Sequence, residues 1–141
     1  MSVRPAAPGE LETVRQLWEE LYGEFPARPH RRKHWSDVED DMRRYLAEEV
    51  VLLAEEQGDA VGFAVAWPEN ERVGYVGLLY VRPELRRRGI GRALLAQAAQ
   101  RLDRPFVTLS VDTDAEARSF YRRLGFREDA LSLVIEAERL R

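Results

Sequence analysis

Between Val50 and Val81 three apolar runs follow one another with only short polar breaks, and this succession limits the fold more than any other feature of the chain. The runs are "VVLLAEE", "AVGFAVAW" and "VGYVGLLYV". Gln57-Gly58-Asp59 separates the first two and "PENER" the last two. Strands joined by such short turns pair as consecutive hairpins. Pro83 cannot donate to a sheet ladder and ends the third strand. A helix follows from about Gly89, with Ile90, Leu94, Ala98 and Leu102 along one side, and then a strand, "PFVTLSV". Hairpins followed by β-α-β predict a mixed sheet in an α+β domain.

The flanking segments extend this pattern. Ser2 to Pro5 fits a short strand. From Pro8 to Phe25, the residues Leu11, Val14, Trp18, Leu21 and Phe25 recur at helical spacing. "FPARPHRRKH" breaks that periodicity. Ser36 and Glu39 have the spacing of a capping box, opening a helix with Val38, Met42, Tyr45 and Leu46 on one face. Downstream, "DTDAEARSFYRRLG" predicts a short helix with Ala117, Phe120, Tyr121 and Leu124 inward and Gly125 as its stop. "LSLVIEA" reads as a last strand. The expected order is β-α-α-β-β-β-α-β-α-β, in a single domain over residues 1–141.

The chain of 141 residues, 45% apolar, can bury one real core. It has no cysteine, which excludes disulfides and thiolate metal sites and is compatible with a reducing cytoplasm. No apolar run approaches the roughly 18 residues of a membrane span. The N-terminus lacks the apolar centre of a signal peptide. A net charge of −3 argues against a nucleic-acid partner. His30 and His34 lie i, i+4 in a proline-containing loop without acidic neighbours, so no metal site is expected.

Against that acidic balance, Arg86, Arg87, Arg88 and Arg92 crowd around Gly89-Ile90-Gly91 where strand becomes helix. A helix N-terminus leaves N–H groups without partners and carries partial positive charge. Glycines let a ligand approach the backbone, and arginines add charge-assisted bonds. The segment therefore reads as a di- or triphosphate cradle or, alternatively, as a helix start with solvated arginines. It is neither a dinucleotide fingerprint, since Leu94 replaces the third glycine, nor a P-loop, since Gly-Lys-Ser/Thr is absent.

About thirty residues downstream stands "DTDAEARSFYRRLGF". With both segments in view the chain resembles the GNAT superfamily of N-acetyltransferases, which use acetyl-coenzyme A. The family's Q/R-x-x-G-x-G/A turn is matched by Arg86 through Gly91, led in by Leu79, Val81 and Pro83. Its N-x-x-A-x-x-x-Y-x-x-x-G-F helix is matched by Asp114, Ala117, Tyr121, Gly125 and Phe126, with aspartate in place of asparagine.

The resemblance implies that the backbone of Leu79, Tyr80 and Val81 binds the pantetheine arm. It implies that Arg86, Arg87, Arg88, Gly89, Ile90, Gly91 and Arg92 hold the pyrophosphate, that Asp114 lies by the cofactor, and that Tyr121 supports the leaving sulfur. The Leu79 N–H is the family-like oxyanion donor. Some members carry a glutamate base at the positions of Tyr75 or Leu109, and neither is acidic here. Glu71 could act through a water, or be a solvated turn residue. In this fold the acceptor lies against the first two helices, which gives Glu19, Tyr22, Trp35 and Tyr75 as candidate substrate contacts. Trp18 lies on the apolar stripe and reads as core. The implied function is transfer of acetyl to a primary amine on a small acceptor, with no nucleic-acid or membrane partner. The alternatives are a protein lysine acetyltransferase and a non-catalytic coenzyme A-binding module. Relatives of this kind often form homodimers.

Overall fold

A computed structural model describes residues 1–25, 28–31, 34–111 and 116–141. The chain divides into two compact units, residues 1–110 and 111–141. The first contains the strands β1 (Ser2–Pro5), β2 (Val51–Glu56), β3 (Asp59–Pro68), β4 (Val73–Val81) and β5 (Phe106–Leu109). It also contains the helices α1 (Leu11–Gly23), α2 (Glu39–Ala47) and α3 (Ile90–Leu102). The second contains α4 (Ala117–Arg123) and a 3-10 turn at Ala137–Leu140.

The sheet order is β1-β2-β3-β4-β5. The first three pairings are antiparallel, as short turns require, and β4 and β5 are parallel, joined by the α3 crossover. The α+β class and the mixed sheet are those expected from the sequence. Gln57 (φ 51°) and Gly58 (φ 84°) make the β2–β3 turn with two left-handed residues, the conformation that suits the twist of a hairpin.

Strand alternation sorts the core into two layers. Val51, Leu53, Phe63, Val65 and Tyr80 pack with Val14, Leu17, Trp18 and Leu21 of α1 and Met42 and Leu46 of α2. The alternate residues Leu52, Ala54, Ala64 and Val76 are also buried, on the opposite face. There α3 brings Ile90, Leu94, Ala98 and Leu102. Gly74 is part of that contact: a Cβ on it would stand 2.5 Å from Leu102 Cδ1.

Two local expectations are corrected. Ser36 does not cap α2; it lies inside a 3-10 turn, Trp35–Asp37, and the N-cap is Val38. Glu39 instead accepts a hydrogen bond from Trp35 Nε1 at 3.0 Å, so burial of the indole takes the carboxylate that a capping box would have used. The last strand is not formed. Residues 126–136 have no regular structure, and Leu131, Leu133, Val134 and Ile135 are exposed. A strand is defined by its partner, and the described residues of the 111–141 unit hold none.

Candidate active site

β4 is paired along both edges for only half its length. On the β5 side the register runs from Val73 with Phe106 to Val76 with Leu109 and stops. On the β3 side it continues to Val81. The divergence begins at Gly77. Val65 faces Leu78 and Ala66 faces Val76, which leaves Gly77 as an extra residue on β4. Such a bulge bends its strand and increases the local twist. A side chain at this point would meet Trp67: a Cβ on Gly77 would stand 2.5 Å from Trp67 Cη2. The indole is held in place by stacking on Tyr45, ring centroids 5.2 Å apart.

Beyond the bulge, the orientation of the free edge follows from one hydrogen bond. Arg82 N–H donates to the Val61 carbonyl at 2.9 Å. Alternate residues of an antiparallel ladder turn their peptide groups to the same neighbour. Leu78 and Tyr80 therefore face β3 with Arg82, while Leu79 and Val81 face the edge that β5 has left. Arg86 Nε donates to the Val81 carbonyl at 2.9 Å. Among the described residues no strand pairs with the Leu79 N–H, the Leu79 carbonyl or the Val81 N–H, an edge that suits an extended ligand carrying amide groups.

This alternation corrects one expected contact. Tyr80 turns its peptide groups to β3, and its ring is core, packed edge-on to Phe63. Its hydroxyl donates to Glu20 Oε1 at 3.2 Å. Burial, with the Glu20 charge beside it, pushes this phenol well above the usual tyrosine range.

The strand leads into the arginine turn. Arg87 (φ 66°) and Gly89 (φ 86°) are both left-handed, and α3 starts at Ile90. The first bond of the helix runs from Ala93 N–H to the Gly89 carbonyl at 3.0 Å, so Ile90, Gly91 and Arg92 N–H have no acceptor within the helix. Among the described residues, no backbone carbonyl accepts from Arg87, Arg88 or Gly89 N–H either. The side chains of Arg87, Arg88 and Arg92 have no acidic partner among the described residues. The turn thus offers unpaired amides and uncompensated guanidinium groups together, which fits a diphosphate. Arg86 is the exception: its Nη2 donates to Glu24 Oε1 and Oε2, both at 2.8 Å. Its side chain is already engaged, unlike those of the other three.

The acceptor-side candidates separate. Trp35 is core, 6% exposed and edge-on to Trp18 at 5.5 Å, because the segment after the proline-rich connection folds its indole inward. Tyr22 stacks on Trp18 at 4.2 Å and packs against the same core, although its sequence position is off the apolar stripe. Glu19 stays half exposed, 3.6 Å from Arg15. Tyr75 lies on β4 two residues before the bulge; its ring meets Trp67 at 5.4 Å and its hydroxyl donates to Ser110 Oγ at 3.2 Å. Glu71 lies in the exposed turn before β4. Six residue steps along β4 take Val73 to Leu79, or about 20 Å at roughly 3.3 Å each. Glu71 cannot serve through one water a carbonyl held at Leu79. Asp114 lies outside the described residues.

In the second unit, α4 ends in a Schellman turn. Phe126 N–H donates to the Tyr121 carbonyl and Gly125 N–H to the Arg122 carbonyl, both at 3.0 Å. Gly125 supplies the left-handed residue, φ 100°. The Phe126 ring closes the motif edge-on against Tyr121 at 5.5 Å. Gly125 and Phe126 thus fix the backbone that carries Tyr121. Burial pushes the Tyr121 phenol up to about 12, so near neutral pH it is a hydrogen-bond donor and not a base.

Sequence reasoning passed over Gly77 and Glu24. A glycine inside a strand pattern is itself a bulge signal. Glu20 and Glu24 repeat, at i, i+4, the spacing of Arg82 and Arg86, and that match of spacings is visible in the sequence alone.

Solved structures of other proteins share this fold. The aminoglycoside N-acetyltransferase AAC(6')-Iy, solved in complex with CoA, superposes with a TM-score of 0.75 at 18% identity, covering 96% of this chain and 98% of that one. Ard1 from Thermoplasma volcanium superposes with a TM-score of 0.71 at 25% identity, covering 92% and 84%. A ribosomal-protein-alanine N-acetyltransferase from Brucella melitensis biovar Abortus 2308 gives 0.68 at 24% identity, covering 96% and 98%. The model of the Acetyltransferase (GNAT) family matches residues 11–126, a span that takes in the open edge of β4, the arginine turn and the Tyr121 helix, and the chain belongs to that family.

Proposed function

We propose that this enzyme transfers an acetyl group from acetyl-coenzyme A to a primary amine on a small acceptor by direct attack. The observation that carries the reading is the succession of two backbone surfaces without partners among the described residues: the β4 edge past Gly77, then the amides of residues 87–92. A ligand that suits both has amides at one end and a diphosphate at the other. That is the order of groups in coenzyme A, with the thioester beyond the amides.

The neutral amine attacks the thioester carbon, forming the C–N bond and moving the carbonyl π pair to oxygen. Leu79 N–H is assigned to that oxyanion. Collapse breaks the C–S bond, and Tyr121, by its place in the family motif, is assigned to donate to the departing sulfur. The extra proton on nitrogen passes to solvent. Orientation of two bound reactants is worth roughly 7–11 kcal/mol, enough to make a strong protein base dispensable. The acidic net charge of −3 supports a cationic acceptor, and two of the structural neighbours are described as aminoglycoside acetyltransferases. A cytoplasmic setting belongs to the same reading, in keeping with a chain that has no cysteine. Among the described residues no helix is long and apolar enough to cross a membrane.

Isothermal titration with acetyl-coenzyme A, followed by free-thiol release across a panel of amines, tests this. Binding with amine-dependent thiol release is expected. Binding without release from any amine would leave a coenzyme A-binding module, the reading that the remoteness of Glu71 favours. Release with lysine peptides alone would make the acceptor a protein.

A further inference from the structure

Helix α1 ends on a carboxylate, at the pole where the helix dipole disfavours one. Glu24 follows Gly23, the last residue of α1. Arg86 compensates it, with Nη2 donating to both Glu24 oxygens at 2.8 Å. The same guanidinium donates from Nε to the Val81 carbonyl at 2.9 Å and lies over the Tyr80 ring, 5.7 Å from its centroid. One turn back along α1 the arrangement repeats. Arg82 Nε and Nη2 donate to the two oxygens of Glu20 at 3.0 and 3.1 Å, and Tyr80 adds its hydroxyl. Two glutamates four apart at the end of α1 thus engage two arginines four apart just beyond β4.

Arg86 therefore joins three parts: the end of α1, the last carbonyl of β4 and the first residue of the turn. Immediately beyond it the backbone enters the left-handed region at Arg87 and again at Gly89. For a residue other than glycine that conformation is unfavourable and persists only where its surroundings impose it. An anchor on the preceding residue is such a constraint.

We propose that Glu24 is a positioning residue for the cofactor turn: acting through Arg86, it holds Val81 and the start of the turn in the geometry that presents the 87–92 amides to a diphosphate. Glu24 touches no substrate. The proposal rests on the acetyl-coenzyme A reading and assigns Arg86 to support of the turn, leaving phosphate contact to Arg87, Arg88 and Arg92.

Coenzyme A titrations of Glu24→Gln, Arg86→Gln, Arg86→Lys and the Glu24→Gln/Arg86→Gln pair decide it. Glu24→Gln is expected to weaken coenzyme A binding about fivefold, the upper range for a part-exposed ion pair. The KM for acetyl-coenzyme A should rise by the same factor while kcat at saturation holds within about twofold. The double variant should bind no more weakly than Arg86→Gln alone, because both changes remove one interaction. Arg86→Lys, which keeps the charge and loses the fork, should behave like Arg86→Gln.

The opposite sign is the clearest overturning result. If Glu24 merely restrains a phosphate-binding arginine, Glu24→Gln frees it and tightens binding. Wild-type affinity in Glu24→Gln, or in Arg86→Lys, also overturns the proposal. Should Glu24→Gln not fold, as judged by its thermal melt, Arg86→Lys decides alone. If the wild-type protein binds no coenzyme A, the functional reading fails and this proposal with it; if it binds and Glu24→Gln changes nothing, only this proposal fails.

Discussion

A Cβ built on Gly89 meets nothing within 4 Å, so space does not explain the glycine; its φ of 86° does. Gly89→Ala should therefore cost about 1–2 kcal/mol of left-handed strain and weaken coenzyme A binding modestly. Gly89→Glu adds the same strain and a negative charge beside the diphosphate, and titration should show no binding. A glutamate variant with wild-type affinity would remove the pyrophosphate from this turn. Tyr121 makes a different prediction. Its phenol is raised from 10.0 to about 12 by burial. The neutral form is thus favoured by folding, and the benefit is complete below the unfolded value near 10 and lost as pH rises through about 12. The pH profile of kcat should rise as the acceptor amine loses its proton and show no alkaline limb from Tyr121 below about pH 11. Tyr121→Phe should lower kcat far more than it raises the coenzyme dissociation constant; equal losses would make the phenol an anchor. The turn at Gly89 and the helix that carries Tyr121 were legible in the sequence because both are local patterns. Tyr22 and Trp35 were not, because stacking on Trp18 is decided by how α1 meets the segment before α2.

At the scale of elements, the divergence of β4 from β5 depends on one missing side chain. Gly77→Ala forces the Trp67 ring off Tyr45 or straightens the bulge, and overpacking of this kind costs about 1–3 kcal/mol. Chemical denaturation should show that loss, and thiol release should fall with it; a fully stable, fully active variant would mean that the bulge does not set the open edge. The hairpins, the α3 crossover and the Gly125 stop were readable because each rests on residues adjacent in the chain. The failed capping box and the unformed last strand share one cause. Ser36 and "LSLVIEA" have suitable chemistry, but whether it is used depends on partners outside the motif itself: the buried Trp35 indole for one and a neighbouring strand for the other.

For the whole molecule, the charge distribution matters more than its sum. A net charge of −3 coexists with three arginines at the turn that lack acidic partners among the described residues. Coenzyme A affinity should fall as salt is raised from 50 to about 500 mM, and Arg87→Gln with Arg88→Gln should flatten that dependence. A salt-independent affinity would place the binding elsewhere. The half-paired β4 has one more consequence. Main-chain groups at an open edge bond to other peptide-like groups and ignore what hangs from their far end. A short acetyl thioester without the two amides of the pantetheine arm would therefore be a poor donor even when reactive enough, whereas propionyl or butyryl carried on the full arm would still be drawn into line, leaving the choice among acyl groups to whatever walls surround their tails.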